Sequence, residues 1–133
     1  MSMSKAVTSN GRGKETAFDL EERTAVFGEG VIRLAKAVPQ NPISVPLISQ
    51  LVRAGTSVGA NYGEANDAES KKDFRHKIGL CRKESKETKY WLRMIVAAEP
   101  EMREKCAALW QEAKELNLIF GAIRLRTTPT EKR

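Results

Sequence analysis

Nine basic residues crowd the stretch from Lys71 to Arg93: Lys71, Lys72, Arg75, Lys77, Arg82, Lys83, Lys86, Lys89 and Arg93, against the acids Asp73, Glu84 and Glu87. This segment carries +6, the net charge of the whole 133-residue chain. Residues 1–17 and 127–133 add +2 and +1, which leaves the rest of the body acidic at −3. Positive charge is concentrated here. Arg75, Arg82, Lys86, Lys89 and Arg93 follow spacings of 7, 4, 3 and 4, so a helix would carry all five on one flank. A stripe of this kind suits a phosphate backbone, because each neutralised phosphate releases counterions. Its other reading is a solvated face whose charges pair with acids on neighbouring helices.

The carboxylates offer a second chemistry. Glu64, Glu84 and Glu87 could meet across a bundle as an acid–base group, but pairing with Arg53, Lys77 and Lys83 as a structural ion-pair network is the expected reading. His76 is the one histidine, in Asp73-x-x-His76. A bundle di-iron site needs two Glu-x-x-His pairs, and structural zinc sets need more ligands than one histidine and two separate cysteines supply. There is no P-loop and no GxGxxG. The residues therefore point away from an enzyme, and no cofactor or metal is expected. Cys81 and Cys106 sit singly inside helical patterns, as buried reduced thiols of a cytoplasmic protein would.

These residues need helices to hold them, and the chain supplies four with clear punctuation. The first, about 19–37, has Leu20, Phe27, Val31, Leu34 and Val38 on one face and stops at Pro39 and Pro42. The second, about 45–68, opens at Ser44 as N-cap and tolerates Pro46 in its first turn. The third, about 71–98, opens at Ser70 with Asp73 as a variant capping box. Its heptad seam is Phe74, Ile78, Cys81, Ser85, Thr88, Leu92 and Ile95. After Pro100 the fourth, about 101–126, carries Met102, Cys106, Leu109, Ala113, Leu116, Phe120 and Ile123. No segment alternates with period two. The expected fold is all-α, an antiparallel up-down-up-down four-helix bundle over residues 18–126, between a flexible arm (1–17) and a loose tail (127–133). The polar stretch from Met1 to Lys14 does not read as a secretory signal. No apolar run approaches the ~18 residues needed to cross a bilayer, so no membrane partner is expected.

Two features speak for assembly. Gly55, Gly59 and Gly63 recur every four residues on the second helix, at about 1 kcal/mol each relative to alanine, and close approach of another helix would offset that cost. Tyr62, Leu80 and Trp91 lie off the core seams, which gives their helices a second apolar face and predicts self-association.

Three segments, "FDLEERTAVFGEGVIRLAKAVP", "LISQLVRAGTSVGANYGEANDAES" and "KKDFRHKIGLCRKESKETKYWLRM", resemble the four-helix bundle family of proteins encoded in bacterial 23S rRNA intervening sequences. The likeness covers roughly residues 18 to 98. It is most specific at Gln50, Arg53, Ser57, Gly59, Ala60, Asn61 and Glu64, then at Ser70, Lys72, Asp73, Phe74, Lys77, Lys83, Glu84, Glu87 and Trp91. It implies a ring-like homopentamer. The family is also similar to the accessory protein of diversity-generating retroelements, a basic pentamer, and that similarity implies RNA or DNA and a reverse transcriptase as partners. The expected function is a non-enzymatic homo-oligomer that binds nucleic acid through the basic flank of the third helix. The alternative is a protein-interaction scaffold that binds none.

Overall fold

The computed structural model describes residues 17–129. The expected arm lies outside the described residues except for Ala17, which already belongs to the first helix, as do residues 130–133 of the expected tail. Four helices follow one another: α1 (Ala17–Ala37), α2 (Ser44–Asn66), α3 (Lys71–Ala98) and α4 (Arg103–Arg126). Connections this short turn each helix back along its predecessor, which gives an antiparallel four-helix bundle. Each helix packs on the next, and α1 meets α4 less closely than the other neighbours meet.

Local chemistry sets the ends. The α2 cap differs from expectation: Asn41, not Ser44, does the capping. Its Oδ1 accepts from the backbone N–H groups of Ile43 and Ser44 at 3.0 and 2.9 Å. Ser44 is already inside the helix and buried, its hydroxyl donating to the Pro39 carbonyl at 2.5 Å. The Asn41 amide also donates to Glu99 Oε2 at 2.9 Å, tying the α1–α2 connection to the end of α3. Ser70 caps α3 by accepting from the Asp73 N–H at 3.0 Å. α2 ends two residues before the expected boundary because Asp67 and Ala68 donate back three residues, to Glu64 and Ala65, which tightens the last turn. At the other boundary, Pro100–Met102 forms a 3-10 turn and α4 proper begins at Arg103.

The seams read from spacing fill the core. Leu20, Phe27, Val31 and Leu34 of α1, with Val38 just past its end, are buried with Leu51, Ala54 and Val58 of α2, and Ile78, Cys81, Leu92 and Ile95 of α3. Cys106, Ala113, Leu116 and Phe120 complete it from α4. Each large aliphatic or aromatic side chain buried here contributes about 1.5–3 kcal/mol. Tyr62 corrects the sequence reading: it is a core residue rather than an off-seam one, its ring 5.8 Å from that of Phe120.

The glycine stripe divides. A Cβ at Gly55 would stand 2.7 and 2.8 Å from the Val31 methyls, and one at Gly59 would stand 3.2 Å from Thr24 Oγ1. At these two positions α1 comes close enough to α2 that only glycine fits without adjustment. Gly63 has nothing within 4 Å. Close packing inside the bundle therefore accounts for two of the three glycines.

Candidate nucleic-acid interface

The two flanks of α3 have opposite electrostatic fates. On the flank toward α2, Arg53 Nη1 sits 3.3 Å from Glu84 and Nη2 donates to Glu87 at 2.6 Å, while Lys77 Nζ donates to Glu64 at 2.7 Å. The last contact raises the Lys77 pKa. These pairs realise most of the predicted ion-pair network: Glu84 and Glu87 share the Arg53 guanidinium and Glu64 is held by Lys77, so each of the three carboxylates is engaged by a cation. Lys83 is the exception. It is exposed and forms no ion pair among the described residues, because it projects to the other side of α3, beside Arg82 and Lys86. Leu80 and Trp91 share the α2 flank by their spacing, and both are half-buried. Trp91 packs against the core, with the Tyr90 ring edge-on at 5.0 Å.

The flank toward α4 is basic and has no carboxylate partner among the described residues. Arg82, Lys86 and Arg93 are exposed, while Arg75 and Lys89 are half-buried. Arg75 Nη2 donates to Thr128 Oγ1 at 3.0 Å, and Lys89 Nζ stands 5.1 Å from the centre of the Trp110 ring. Among the described residues none of the five makes an ion pair. Two of the three acids of α4 are turned elsewhere: Glu112 and Glu115 are held by Arg23 of α1, at 2.6 and 2.8 Å.

Helix α4 adds cations of its own to this face. At spacings of 4 and 3 it presents Arg103, Ala107, Trp110, Lys114, Asn117, Gly121, Arg124 and Thr128, a row without an acid. Lys114 Nζ stands 5.8 Å from the Trp110 ring centre. Asn117 fastens the helices, its amide donating to the Arg82 carbonyl at 2.8 Å. Two arginines cross the seam in opposite directions. A Cβ at Gly121 would lie 3.4 Å from Arg82 Nε, and a Cβ at Gly79 would lie 2.9 Å from Arg124 Nε. The Nε atoms of Arg75 and Arg124 are buried and lack an acceptor among the described residues.

Three grooves run along the seam. One of about 730 Å³ lies between Arg93, Val96, Ala97, Arg103, Ala107 and Trp110. One of about 360 Å³ lies beside Gly79, Arg82, Lys86 and Lys89, and one of about 450 Å³ lies among Arg75, Arg82, Gly121 and Arg124. Leu118 and Leu125, 63% and 75% exposed, stand beside the last of these or in its wall.

The arrangement suits holding an extended anion. The two cysteines are buried thiols: burial pushes Cys81 up to about 12 and raises Cys106, so neither is a thiolate near neutrality. His76 is exposed, and among the described residues no three of His, Cys, Asp and Glu gather where a metal could sit. No described helix is long and apolar enough to cross a membrane.

Sequence reasoning found the α3 stripe and missed Arg103, Trp110, Lys114 and Arg124. The acid-free heptad row of α4 could have revealed them, but the acids one or two positions away, Glu104, Glu112 and Glu115, mask it in any tally of charge.

No curated protein matches the chain. Among solved structures it is similar to a protein of unknown function from the S23 ribosomal protein family of Bacteroides thetaiotaomicron VPI-5482. The two are 28% identical with a TM-score of 0.75, over 82% of this chain and 97% of that one. The family model for 23S rRNA-intervening sequence protein matches residues 18–122. With the four helices in place and most of the chain matched, the protein belongs to the 23S rRNA-intervening sequence protein family.

Proposed function

We propose that this protein is a non-enzymatic, self-assembling nucleic-acid-binding bundle that holds the phosphate backbone along the α3–α4 seam. One observation carries the reading. Arg75, Arg82, Lys86, Lys89 and Arg93 of α3 share a face with Arg103, Lys114 and Arg124 of α4 and have no carboxylate partner among the described residues, whereas Arg23, Arg53 and Lys77 are all ion-paired. Unpaired cations on one face repel one another, and an anionic backbone relieves that repulsion while releasing counterions. Self-assembly would repeat the face, so that weak contacts add through multivalency. A ring of five subunits is the stoichiometry the family likeness suggests. A cytoplasmic location belongs to the same reading, supported by the two free, buried cysteines.

The test is anisotropy of a labelled structured RNA titrated from about 50 to about 200 mM salt. Binding is expected to weaken linearly on a log–log plot, and Arg82→Glu with Lys86→Glu is expected to make the slope shallower by about two. No binding at low salt, or a double variant that binds like the parent, sinks the proposal. Light scattering checks assembly, since a monodisperse species of 14.8 kDa would remove it. A second reading, a scaffold that docks an acidic protein segment, draws on exposed Leu118 and Leu125. On that reading Leu118→Ser with Leu125→Ser abolishes capture of an acidic peptide, and the parent binds no RNA at low salt.

A further inference from the structure

We propose that the nucleic acid held on this face is single-stranded, with an unpaired base stacking at Trp110. The inference rests on the nucleic-acid reading above and names the class of strand that the face selects.

Trp110 is 37% exposed on the first half of α4, whereas the other tryptophan, Trp91, packs against the core. Two ammonium groups attend its ring, Lys89 Nζ at 5.1 Å and Lys114 Nζ at 5.8 Å from the centroid. They come from different helices and bracket the ring within the seam. Beside it lies the groove of about 730 Å³, with apolar Val96, Ala97 and Ala107 in its wall and Arg93 and Arg103 across from each other on α3 and α4. An aromatic plane, an apolar slot and flanking cations together match what a single strand offers: a free base face next to a charged backbone. A duplex hides its base faces in the stack and would meet only the cations.

Charge decides against a two-fold contact between copies at the groove, and a ring contact with another face of the next copy is read out by the mass measurement below. In a two-fold contact Arg93, Arg103 and Lys89 would face their own copies with no acid of the seam to offset them. An anionic strand brings the opposite sign. Stacking on the ring needs one lysine to swing aside, and its ammonium is then free to meet the adjacent phosphate.

The test uses the full chain carrying Trp91→Phe, so that emission reports Trp110 alone. The probes are an unstructured single strand of about 16 nucleotides and a blunt duplex of the same length, at low salt. The single strand is expected to quench Trp110 and to bind about tenfold tighter than the duplex. Trp110→Ala is expected to lose about that tenfold for the single strand and nothing for the duplex, while Trp110→Phe keeps most of the preference. Equal affinity for both probes, with Trp110→Ala indistinguishable from its parent, would overturn the inference and leave phosphate binding by the face intact. Absence of binding to either probe overturns the underlying reading as well. If Trp110→Ala lowers the mass seen by light scattering instead of changing strand preference, the groove is a contact between copies and the inference fails. A helical circular-dichroism spectrum for both variants separates these results from misfolding, with Trp110→Phe as the control that preserves the ring.

Discussion

Arg82 of α3 lies across Gly121 of α4, its Nε 3.4 Å from the point where a β-carbon would stand, and the contact is returned by Arg124 of α4 across Gly79 of α3. In each case the absent side chain gives an arginine stem a flat backbone track over the neighbouring helix. Two guanidinium groups are thereby held near one seam although they repel each other. Helix packing alone would be served by alanine and leucine at such positions. Two arginines laid over two glycines spend helix propensity to position charge.

Alanine at these glycines should separate positioning from folding. The atom a Gly79 Cβ would crowd belongs to a flexible arginine side chain, so Gly79→Ala should swing Arg124 aside rather than displace backbone. The gain in helix propensity, about 1 kcal/mol, would offset the lost packing. Gly79→Ala with Gly121→Ala is expected to keep the urea midpoint within a few tenths molar and to weaken RNA binding several-fold, as read by anisotropy. A folded variant with unchanged affinity would show that the crossed arginines hold no phosphate.

The α2 glycines should behave oppositely to each other. Gly55→Ala drives a β-carbon into the Val31 methyls at 2.7 and 2.8 Å, in a core that cannot give. It is expected to cost about 1–2 kcal/mol after the helix-propensity gain. Gly63→Ala meets nothing within 4 Å and should stabilise by up to about 1 kcal/mol. Urea denaturation of the two variants reads both signs.

The paired flank of α3 predicts an asymmetry between its ion pairs. Glu84 is 7% exposed and depends on Arg53, so Arg53→Met leaves a nearly buried carboxylate without its cation. A loss of about 1–2 kcal/mol is expected. Lys77→Met breaks only a solvent-exposed pair with Glu64 and should be barely measurable. Equal urea midpoints for the two variants would contradict this account.

Stability should fall at high pH. Burial pushes Cys81 from 9.0 to about 12 and Tyr62 from 10.0 to about 12. Both are neutral in the folded state where the unfolded chain would ionise them. Their contribution is fully present below the unfolded values and is lost as pH rises from about 9 to about 12. Urea midpoints at pH about 7 and about 10.5 check the direction. At pH about 8 a disulfide reagent should label Cys81 only as fast as the bundle opens.

Period and punctuation were enough to read four helices, their seams and the α3 cap. Leu20 through Val38, or Ile78 through Ile95, sort into a buried face by spacing alone, and Pro39, Ser70 and Pro100 mark ends by their backbone chemistry. The basic flank of α3 was legible for the same reason, since spacing fixes which residues share a face. What lay opposite that face was not. Nothing local says that Lys83 would leave Glu87 to Arg53 of α2, that Tyr62 would reach Phe120, or that Glu112 and Glu115 would be taken by Arg23 of α1. Those outcomes depend on how the helices are rotated against one another, which is set by close fits such as Gly55 on Val31. The same rotation brings Arg103, Trp110, Lys114 and Arg124 beside the α3 cations. The sequence alone determined that a basic stripe exists. Only the tertiary structure decided that no acid among the described residues pairs with its charges and that a tryptophan stands among them, because charge pairing across helices depends on three-dimensional register and not on spacing within one helix.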